Sequence, residues 1–288
     1  MPEAAPYTPA ELAATRASLD RIAGAVTIAP GTTVAETVVG GRPALRVTPA
    51  TGGARGTLLL AHGGGYRAGS PAADRGVASH LAAFADIEVV LPSYRLAPEH
   101  PAPAARDDVR AALEHLLDRD GVPPGRLAVG GLSAGGGLAL AATLAALADG
   151  RPAPAALVLL SPWVDLDVRA ASYERNAATD PILDRDDARR GARAYLGPLD
   201  PRDPAASPLH ADAAALAQLP PTLIQASTAE VLHDDAAALA ARIREAGGTA
   251  TLQTWDDVLH CWHVRAPEQP ESTAALRSVS EFLVSRYE

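Results

Sequence analysis

Two short glycine-rich turns restrict the possible folds of this chain more than any other feature. The second has the form G-x-S-x-G at residues 131–135 and is centred on Ser133. It follows an apolar run at 126–130 and leads into 134–148, which is rich in alanine and leucine and free of proline. Strand, tight turn and helix is the context in which this motif holds a serine on a strained turn with its hydroxyl exposed.

The first turn reads H-G-G-G at residues 62–65 and follows the apolar run 57–61. Such glycines allow backbone N–H groups to point at a developing negative charge, as in the oxyanion hole of acyl-transferring enzymes. We expect the N–H groups of Gly64 and Gly65 to act together with that of Ala134, which directly follows the serine. The two turns together predict a nucleophilic serine for acyl transfer.

From residue 56 onward, apolar runs alternate with helix-forming segments. Strands are predicted at about 57–61, 87–91, 126–130, 155–160, 222–227 and 249–255. Helices are predicted at about 72–85, 103–119, 134–148, 234–246 and 271–286. This alternation, with apolar strands, indicates a single α/β domain with a mostly parallel central sheet flanked by helices. A hairpin at about 34–48 precedes it, with its turn at two consecutive glycines.

Two segments fall outside this alternation. The sequence at 8–11 has the pattern of a capping box and begins a helix with one apolar face, formed by Leu12, Leu19, Ile22 and Val26. Between about 163 and 215, prolines and turn-prone sequences surround one helix-like run at 185–196. We expect about 1–45 and this insertion to form a helical cap over the carboxyl ends of the strands, where ligands bind in open α/β sheets.

A serine nucleophile needs a base, and the base needs an acid that orients it. Of the eight histidines, only His260 and His263 follow the last predicted strand, where the base is expected. We favour His260, which lies in the loop after that strand, because His263 lies nearer the last helix, where a surface role is usual. His62 belongs to the first glycine-rich turn and is expected to brace that loop.

The acid should follow the fifth predicted strand, where the candidates are Glu230, Asp234 and Asp235. We favour Glu230, because a cap at the start of the next helix already explains Asp234. Asp256 and Asp257 are close to the base in sequence and are interpreted as turn residues. The predicted triad is therefore the serine of the second turn with Glu230 and the favoured histidine.

Composition excludes several other classes of function. The net charge is −9 and the pI about 5.4, without a lysine- or arginine-rich cluster, so a nucleic-acid partner is not expected. The single cysteine, Cys261, permits no intramolecular disulfide bond. Residues 1–6 do not resemble a secretory signal, and no apolar run is long enough to span a bilayer. These features favour a cytoplasmic protein without a membrane partner.

The motifs resemble those of the hormone-sensitive-lipase family of α/β-hydrolases, the bacterial family IV carboxylesterases. The resemblance extends from about Leu58 to Trp262 and is carried by the segments 62–65, 94–101, 131–136, 161–163 and 230–235. It implies an α/β-hydrolase fold with a helical cap and an esterase for short- to medium-chain acyl esters, with neither a cofactor nor a metal. By resemblance, the family's serine, acid and histidine fall on Ser133, Glu230 and His260.

Two positions depart from the family pattern. Leu132 stands directly before the serine where most members have aspartate, so the hydrogen bonding behind the turn is expected to differ. Glu230 also stands where most members have aspartate. Because glutamate is longer by one methylene, its loop is expected to differ slightly.

The sequence leaves alternatives open. The same triad would serve a lactone hydrolase, or a biosynthetic acyltransferase or cyclase. A ligand-binding protein of this fold that has lost catalysis is a further alternative, although all three triad positions are filled. The last predicted strand, 249–255, is expected to be a sheet edge without proline or charge, which predicts pairing into a homodimer.

Overall fold

A computed structural model describes residues 6–52 and 55–287 of the chain. Within these residues the strands are β1 (Thr32–Val39), β2 (Arg42–Pro49), β3 (Thr57–Ala61), β4 (Glu88–Pro92), β5 (Leu127–Leu132), β6 (Ala156–Leu160), β7 (Thr222–Ser227) and β8 (Ala250–Trp255). The helices are α1 (Pro9–Gly24), α2 (Arg75–Ala85), α3 (Ala104–Asp118), α4 (Ala134–Ala148), α5 (Ser172–Arg175), α6 (Arg185–Leu196), α7 (Ala213–Ala217), α8 (His233–Glu245) and α9 (Pro270–Val284). The predicted strands and helices are confirmed to within a few residues at their ends.

The strands form one eight-stranded sheet in the order β1-β2-β4-β3-β5-β6-β7-β8. The β1–β2 and β2–β4 pairs are antiparallel, and all pairs from β4 to β8 are parallel. This confirms the mostly parallel sheet and places β8 at one edge, as predicted. The hairpin at the other edge joins the sheet, because β2 pairs with β4. Residues 32–45, which the sequence analysis included in the cap, therefore belong to the sheet.

Helices cover both faces of the sheet, because successive residues of a strand point to opposite faces. Leu59 and Val129 belong to an apolar core shared with α3, α4 and α8. Leu58 and Leu60 belong to a second core, shared with α2 and α9. Every residue of β3, β5, β6 and β7 is buried, which explains why these strands are mostly apolar in the sequence. Gln225 of β7 is a buried polar exception.

The parallel register brings the carboxyl ends of these strands to the same end of the sheet. Ala61 at the end of β3 lies opposite Gly131 of β5, and Ser227 at the end of β7 lies opposite Trp255 of β8. Both glycine-rich turns and the loops after β7 and β8 therefore begin at this carboxyl-terminal end of the sheet. Open α/β sheets bind ligands at this end.

Helix α1 begins with the predicted capping box, in which the Thr8 hydroxyl accepts the Glu11 N–H and the Glu11 carboxylate accepts the Thr8 N–H. Leu12 is buried, but Ile22 is 54% exposed. The prediction that α1 buries one continuous apolar face is therefore wrong at its carboxyl end. The helix is held instead by polar side chains, whose contacts are described below.

The insertion between β6 and β7 contains α5, α6 and α7. Its aromatic residues Trp163, Tyr173 and Tyr195 are buried, each about 1% exposed. Tyr195 stacks on Tyr66, which follows the first glycine-rich turn, with 4.0 Å between the ring centroids. The insertion therefore packs against the loop at the carboxyl end of β3. Among the described residues, none of the helices is long and apolar enough to cross a membrane.

Candidate active site

The turn between β5 and α4 holds Ser133 in a strained backbone conformation, with φ 51° and ψ −120°. Only glycine fits two positions before and two positions after this serine. A Cβ on Gly131 would lie 2.2 Å from the carbonyl carbon of Gly135, and a Cβ on Gly135 would lie 2.1 Å from the carbonyl oxygen of Ala61. Close packing of strand, turn and helix thus requires the G-x-S-x-G pattern and places the serine at the carboxyl-terminal end of the sheet.

Three side chains from three loops form one hydrogen-bonded chain at the carboxyl-terminal end of the sheet. The Nε2 atom of His260 lies 3.0 Å from the Oγ of Ser133, and its Nδ1 lies 2.5 Å from the Oε2 of Glu230. A carboxylate can only accept, so Nδ1 carries the proton and Nε2 is left to accept the serine proton. The structure thus brings together the three residues predicted from the sequence.

The Glu230 carboxylate is fully buried and firmly held. Its second oxygen accepts the backbone N–H of Ser227 at 2.9 Å. The Asn176 side chain donates to the Glu230 carbonyl at 2.7 Å, and Asp180 accepts the N–H of Val231 at 2.9 Å. Two residues of the insertion therefore hold the loop that carries the acid, and this loop accommodates the longer glutamate side chain.

The rival acids lie apart from the histidine. The sequence predicted Asp234 as the N-cap of α8. This prediction is wrong, because the cap position is Leu232. Asp234 instead pairs with Arg175, and this hydrogen-bonded ion pair lowers the pKa of the carboxyl. Asp235 is buried, its carboxylate has no hydrogen-bond partner in the described part of the chain, and burial raises its pKa well above the ordinary value.

The two other histidines near the site are buried and neutral. His263 is fully buried, so the expectation of a surface role is wrong. Its Nε2 lies 2.8 Å from the side-chain oxygen of Gln225, and burial lowers its pKa to about 3. Burial lowers the pKa of His62 to about 4, and its ring stacks on Tyr94 with Nδ1 2.8 Å from the Gly63 carbonyl. A neutral, stacked ring at this position agrees with a bracing role.

The first glycine-rich turn follows a path that only glycine adopts easily. Gly64 and Gly65 have φ of 122° and 59°, and a Cβ on Gly64 would lie 2.1 Å from the carbonyl oxygen of Ala68. The buried Asp74 accepts the N–H of Gly63 at 2.9 Å and anchors the start of the loop. No acceptor for the N–H groups of Gly64 and Gly65 lies among residues 6–52 and 55–287.

The third predicted donor is the N–H of Ala134, the first residue of α4. An N–H group in the first turn of a helix has no acceptor within that helix. The positive end of the helix dipole also lies here and favours a negative charge. The predicted donors thus come from two loops that meet beside the serine, since a Cβ on Gly63 would lie 3.8 Å from the Ser133 Cβ.

Opposing effects set the pKa of the His260 imidazole. Burial lowers it, whereas the Cys261 sulfur, 3.5 Å from Nε2, and the Glu230 carboxylate raise it, and the result lies above the ordinary value. Burial also raises the pKa of the Cys261 thiol, so the thiol stays neutral. The charge that stabilises the imidazolium therefore comes from Glu230.

Several residues around the site were not recognised as part of it from the sequence. Asp74 and Asn176 stand in no recognisable motif, and Asp180 lies in the turn-prone sequence of the insertion. Ser161 was noted only within a family motif, and its hydroxyl accepts the N–H of Cys261 at 3.2 Å. Leu132, where most family members have aspartate, is buried within the apolar core that contains α2 and α9. In the part of the chain that is described, no group of three or more His, Cys, Asp or Glu could hold a metal ion.

Comparisons with known proteins identify the family of this chain. A family model described as alpha/beta hydrolase fold matches residues 58–264. An acetyl-hydrolase of Streptomyces hygroscopicus is 43% identical over 227 residues, which cover 79% of this chain and 75% of that protein. The carboxylic ester hydrolase LipN of Mycobacterium tuberculosis is 36% identical over 228 residues, which cover 76% of this chain and 60% of that protein.

Solved structures match over nearly the whole chain. An esterase from the bacterial hormone-sensitive lipase family is 38% identical with a TM-score of 0.92, covering 99% of this chain and 94% of that one. A hormone-sensitive lipase from a metagenome library is 34% identical with a TM-score of 0.91, covering 97% and 94%. Fold, sequence relatives and structural relatives lead to one conclusion: the chain belongs to the hormone-sensitive-lipase family of carboxylic ester hydrolases with the α/β-hydrolase fold.

Proposed function

We propose that this carboxylesterase hydrolyses short- to medium-chain acyl esters through an acyl-enzyme on Ser133, with His260 as general base and Glu230 as the acid that orients it. The observation that carries the proposal is the hydrogen-bonded chain from Glu230 through His260 to the serine hydroxyl. This order of acid, base and nucleophile is the one that acyl transfer requires.

In the first half of the reaction, the Ser133 oxygen attacks the ester carbonyl and its proton passes to Nε2 of His260. The tetrahedral oxyanion is stabilised by the N–H groups of Gly64, Gly65 and Ala134. The imidazolium, stabilised by the acid, then protonates the leaving alcohol. In the second half, the same histidine takes a proton from water as the water oxygen attacks the acyl-enzyme. It then returns this proton to the Ser133 oxygen, which leaves as the carboxylic acid is released.

Residues 6–31 and the insertion at about 163–215 serve in this proposal as a cap that excludes water and limits the acyl chain. Two contacts support this role. Tyr195 stacks on Tyr66 beside the oxyanion loop. The Tyr7 hydroxyl, just before α1, donates to the Asp187 carboxylate of α6 at 2.7 Å. The two parts of the cap thus contact each other as well as the site.

The function is tested with p-nitrophenyl esters from acetate to laurate, together with a set of lactones. We expect turnover to peak among the short and medium chains, and a serine-directed phosphonate to label one serine per chain. A preference for lactones, or transfer to an added alcohol in place of water, would favour the alternative enzymes. Absence of both labelling and turnover would favour a ligand-binding protein.

Cys261 lies next to the base but is proposed to have no catalytic role. Its thiol stays protonated because burial raises its pKa, and the neighbouring Ser133 already supplies a nucleophile. We expect Cys261→Ser to keep most of the wild-type kcat, whereas a bulky thiol reagent on the wild-type protein inhibits by crowding the histidine. Steady-state kinetics of both forms measure this, and loss of turnover in Cys261→Ser would contradict it.

We further propose a cytoplasmic homodimer that pairs through β8. The strand lies at the sheet edge, and Thr251 and Thr254 are exposed there. An unprotected edge offers unpaired backbone groups to a second copy. Light scattering at micromolar concentration should give about twice the 29.5 kDa mass of one chain. A monomeric mass would refute pairing.

A further inference from the structure

Arg67, directly after the oxyanion loop and Tyr66, makes an ion pair that the reaction scheme above does not use. Its side chain is only 10% exposed, and Nη2 donates to the Oδ2 of Asp187 on α6 at 2.6 Å. Its Nη1 lies 3.5 Å from the carbonyl oxygen of Gly65. The guanidinium therefore connects Gly65, an expected oxyanion donor, to the insertion through the carbonyl group of that residue.

The surface of α6 is shaped to receive this side chain. Asp187, Gly191 and Tyr195 are spaced four residues apart and so share one face of the helix. A Cβ on Gly191 would lie 3.0 Å from Nη1 of Arg67 and 3.2 Å from the Trp163 ring. The glycine thus lets the helix approach the loop closely, and Tyr195 completes the contact by stacking on the residue before Arg67.

The N-terminal segment holds both halves of this ion pair. The Tyr7 hydroxyl donates to the other oxygen of the Asp187 carboxylate at 2.7 Å, and Nε of Arg16 donates to the Arg67 carbonyl at 2.9 Å. Two guanidinium groups lie over the Tyr7 ring, with the Cζ atoms of Arg67 and Arg190 4.6 Å and 4.1 Å from the ring centroid. Three segments that are distant in sequence therefore meet at one charged side chain.

We propose that Arg67 is a positioning residue for the oxyanion hole, and that its pair with Asp187 couples the N–H groups of Gly64 and Gly65 to α6 and the N-terminal segment. The inference rests on the proposed esterase function. Because those N–H groups bond most strongly to the tetrahedral oxyanion, their alignment affects kcat more than KM. A small displacement of a catalytic group by a remote change is enough to lower turnover about a hundredfold.

The test compares wild type with Arg67→Met, Asp187→Asn and the double variant. Two quantities are measured: the kcat and KM of ester hydrolysis, and the affinity for an alkyl trifluoromethyl ketone. The serine oxygen adds to this ketone, its proton passes to His260, and the ketone oxygen becomes the oxyanion. We expect Arg67→Met to lower kcat about tenfold to a hundredfold and the ketone affinity by a similar factor, with KM nearly unchanged. The double variant should lose little more than the worse single one.

The matched control is Arg46→Met. Arg46 forms ion pairs with Glu88 and Asp120, and it lies on β2 away from the site. We expect the Arg46→Met variant to lose about as much stability as the Arg67→Met variant but to keep the wild-type kcat. If Arg67→Met does not fold, Asp187→Asn and Tyr7→Phe carry the test, since Asp187 is 33% exposed and Tyr7→Phe removes one hydroxyl. A smaller drop in kcat, with KM unchanged, is then expected.

Wild-type kcat and ketone affinity in the folded variants would overturn the inference and leave the esterase proposal intact, as would independent effects of the two substitutions. Failure of the proposed function looks different, since wild type itself would then neither turn over esters nor react with a serine-directed phosphonate.

Discussion

The Ser133→Ala variant is expected to lose ester hydrolysis by several orders of magnitude, about ten-thousandfold or more in kcat, while the fold persists. The substitution removes the attacking oxygen and leaves His260 without the proton that it accepts. Residual turnover would come only from substrate binding and the oxyanion donors. Backbone strain should be similar in the variant, because alanine and serine adopt the unusual φ of 51° at similar cost.

Ser280→Ala is the matched control for this experiment. Ser280 is also buried, but its hydroxyl donates to the Leu276 carbonyl within α9, far from the loops of the site. Kinetics with a short-chain p-nitrophenyl ester and circular dichroism of both variants separate loss of chemistry from loss of fold. If the Ser133→Ala protein kept more than about a tenth of wild-type activity, the nucleophile would be misassigned.

Glu230→Gln is expected to have the next largest effect, a loss of about a thousandfold to ten-thousandfold in kcat. The amide cannot stabilise the imidazolium by charge, and its NH₂ group can turn toward Nδ1 and favour the wrong tautomer. Asp234→Asn is the control, because that carboxylate is paired with Arg175 and not with the base. A larger loss in Asp234→Asn than in Glu230→Gln would mean that the acid is another residue.

The pH profile should change in a defined direction between these proteins. His260 acts as a base only when neutral, so kcat/KM of wild type should rise with pH through an apparent pKa. That value should lie above the ordinary 6.5, because the Cys261 sulfur and the Glu230 carboxylate together raise the pKa of the imidazole more than burial lowers it. In Glu230→Gln the rise should move to lower pH, and an unshifted profile would contradict the pairing.

Much of this protein could be read from local sequence, because the underlying physics is local. Strands buried on both faces are mostly apolar, which made β3, β5 and β6 visible as apolar runs, whereas β7 also carries the buried Gln225. The tight turn excludes side chains two positions before and two positions after Ser133, so its glycines mark it without any knowledge of the rest of the chain. The order of nucleophile, acid and base along the chain then narrowed the partners to Glu230 and His260.

Tertiary structure decided what depends on residues distant in sequence. The sequence position of His263 carries no sign that Gln225 lies beside it, so its burial was missed. Capping propensity suggested an N-cap for Asp234, but an arginine far along the chain pairs with it instead.

The largest such difference concerns the polar contacts that hold the N-terminal segment and the insertion against the loop after β3. An ion pair such as Arg67 with Asp187 joins residues 120 positions apart and leaves no periodic pattern in either segment. Ile22 shows the converse, since its spacing suggested burial but the residue is 54% exposed, whereas the adjacent Ala23 is buried. Periodicity and turn chemistry reveal which elements form, because each element must satisfy its own backbone and apolar face. Which charged side chains meet between elements depends on how those elements pack, and that is decided only in the folded chain.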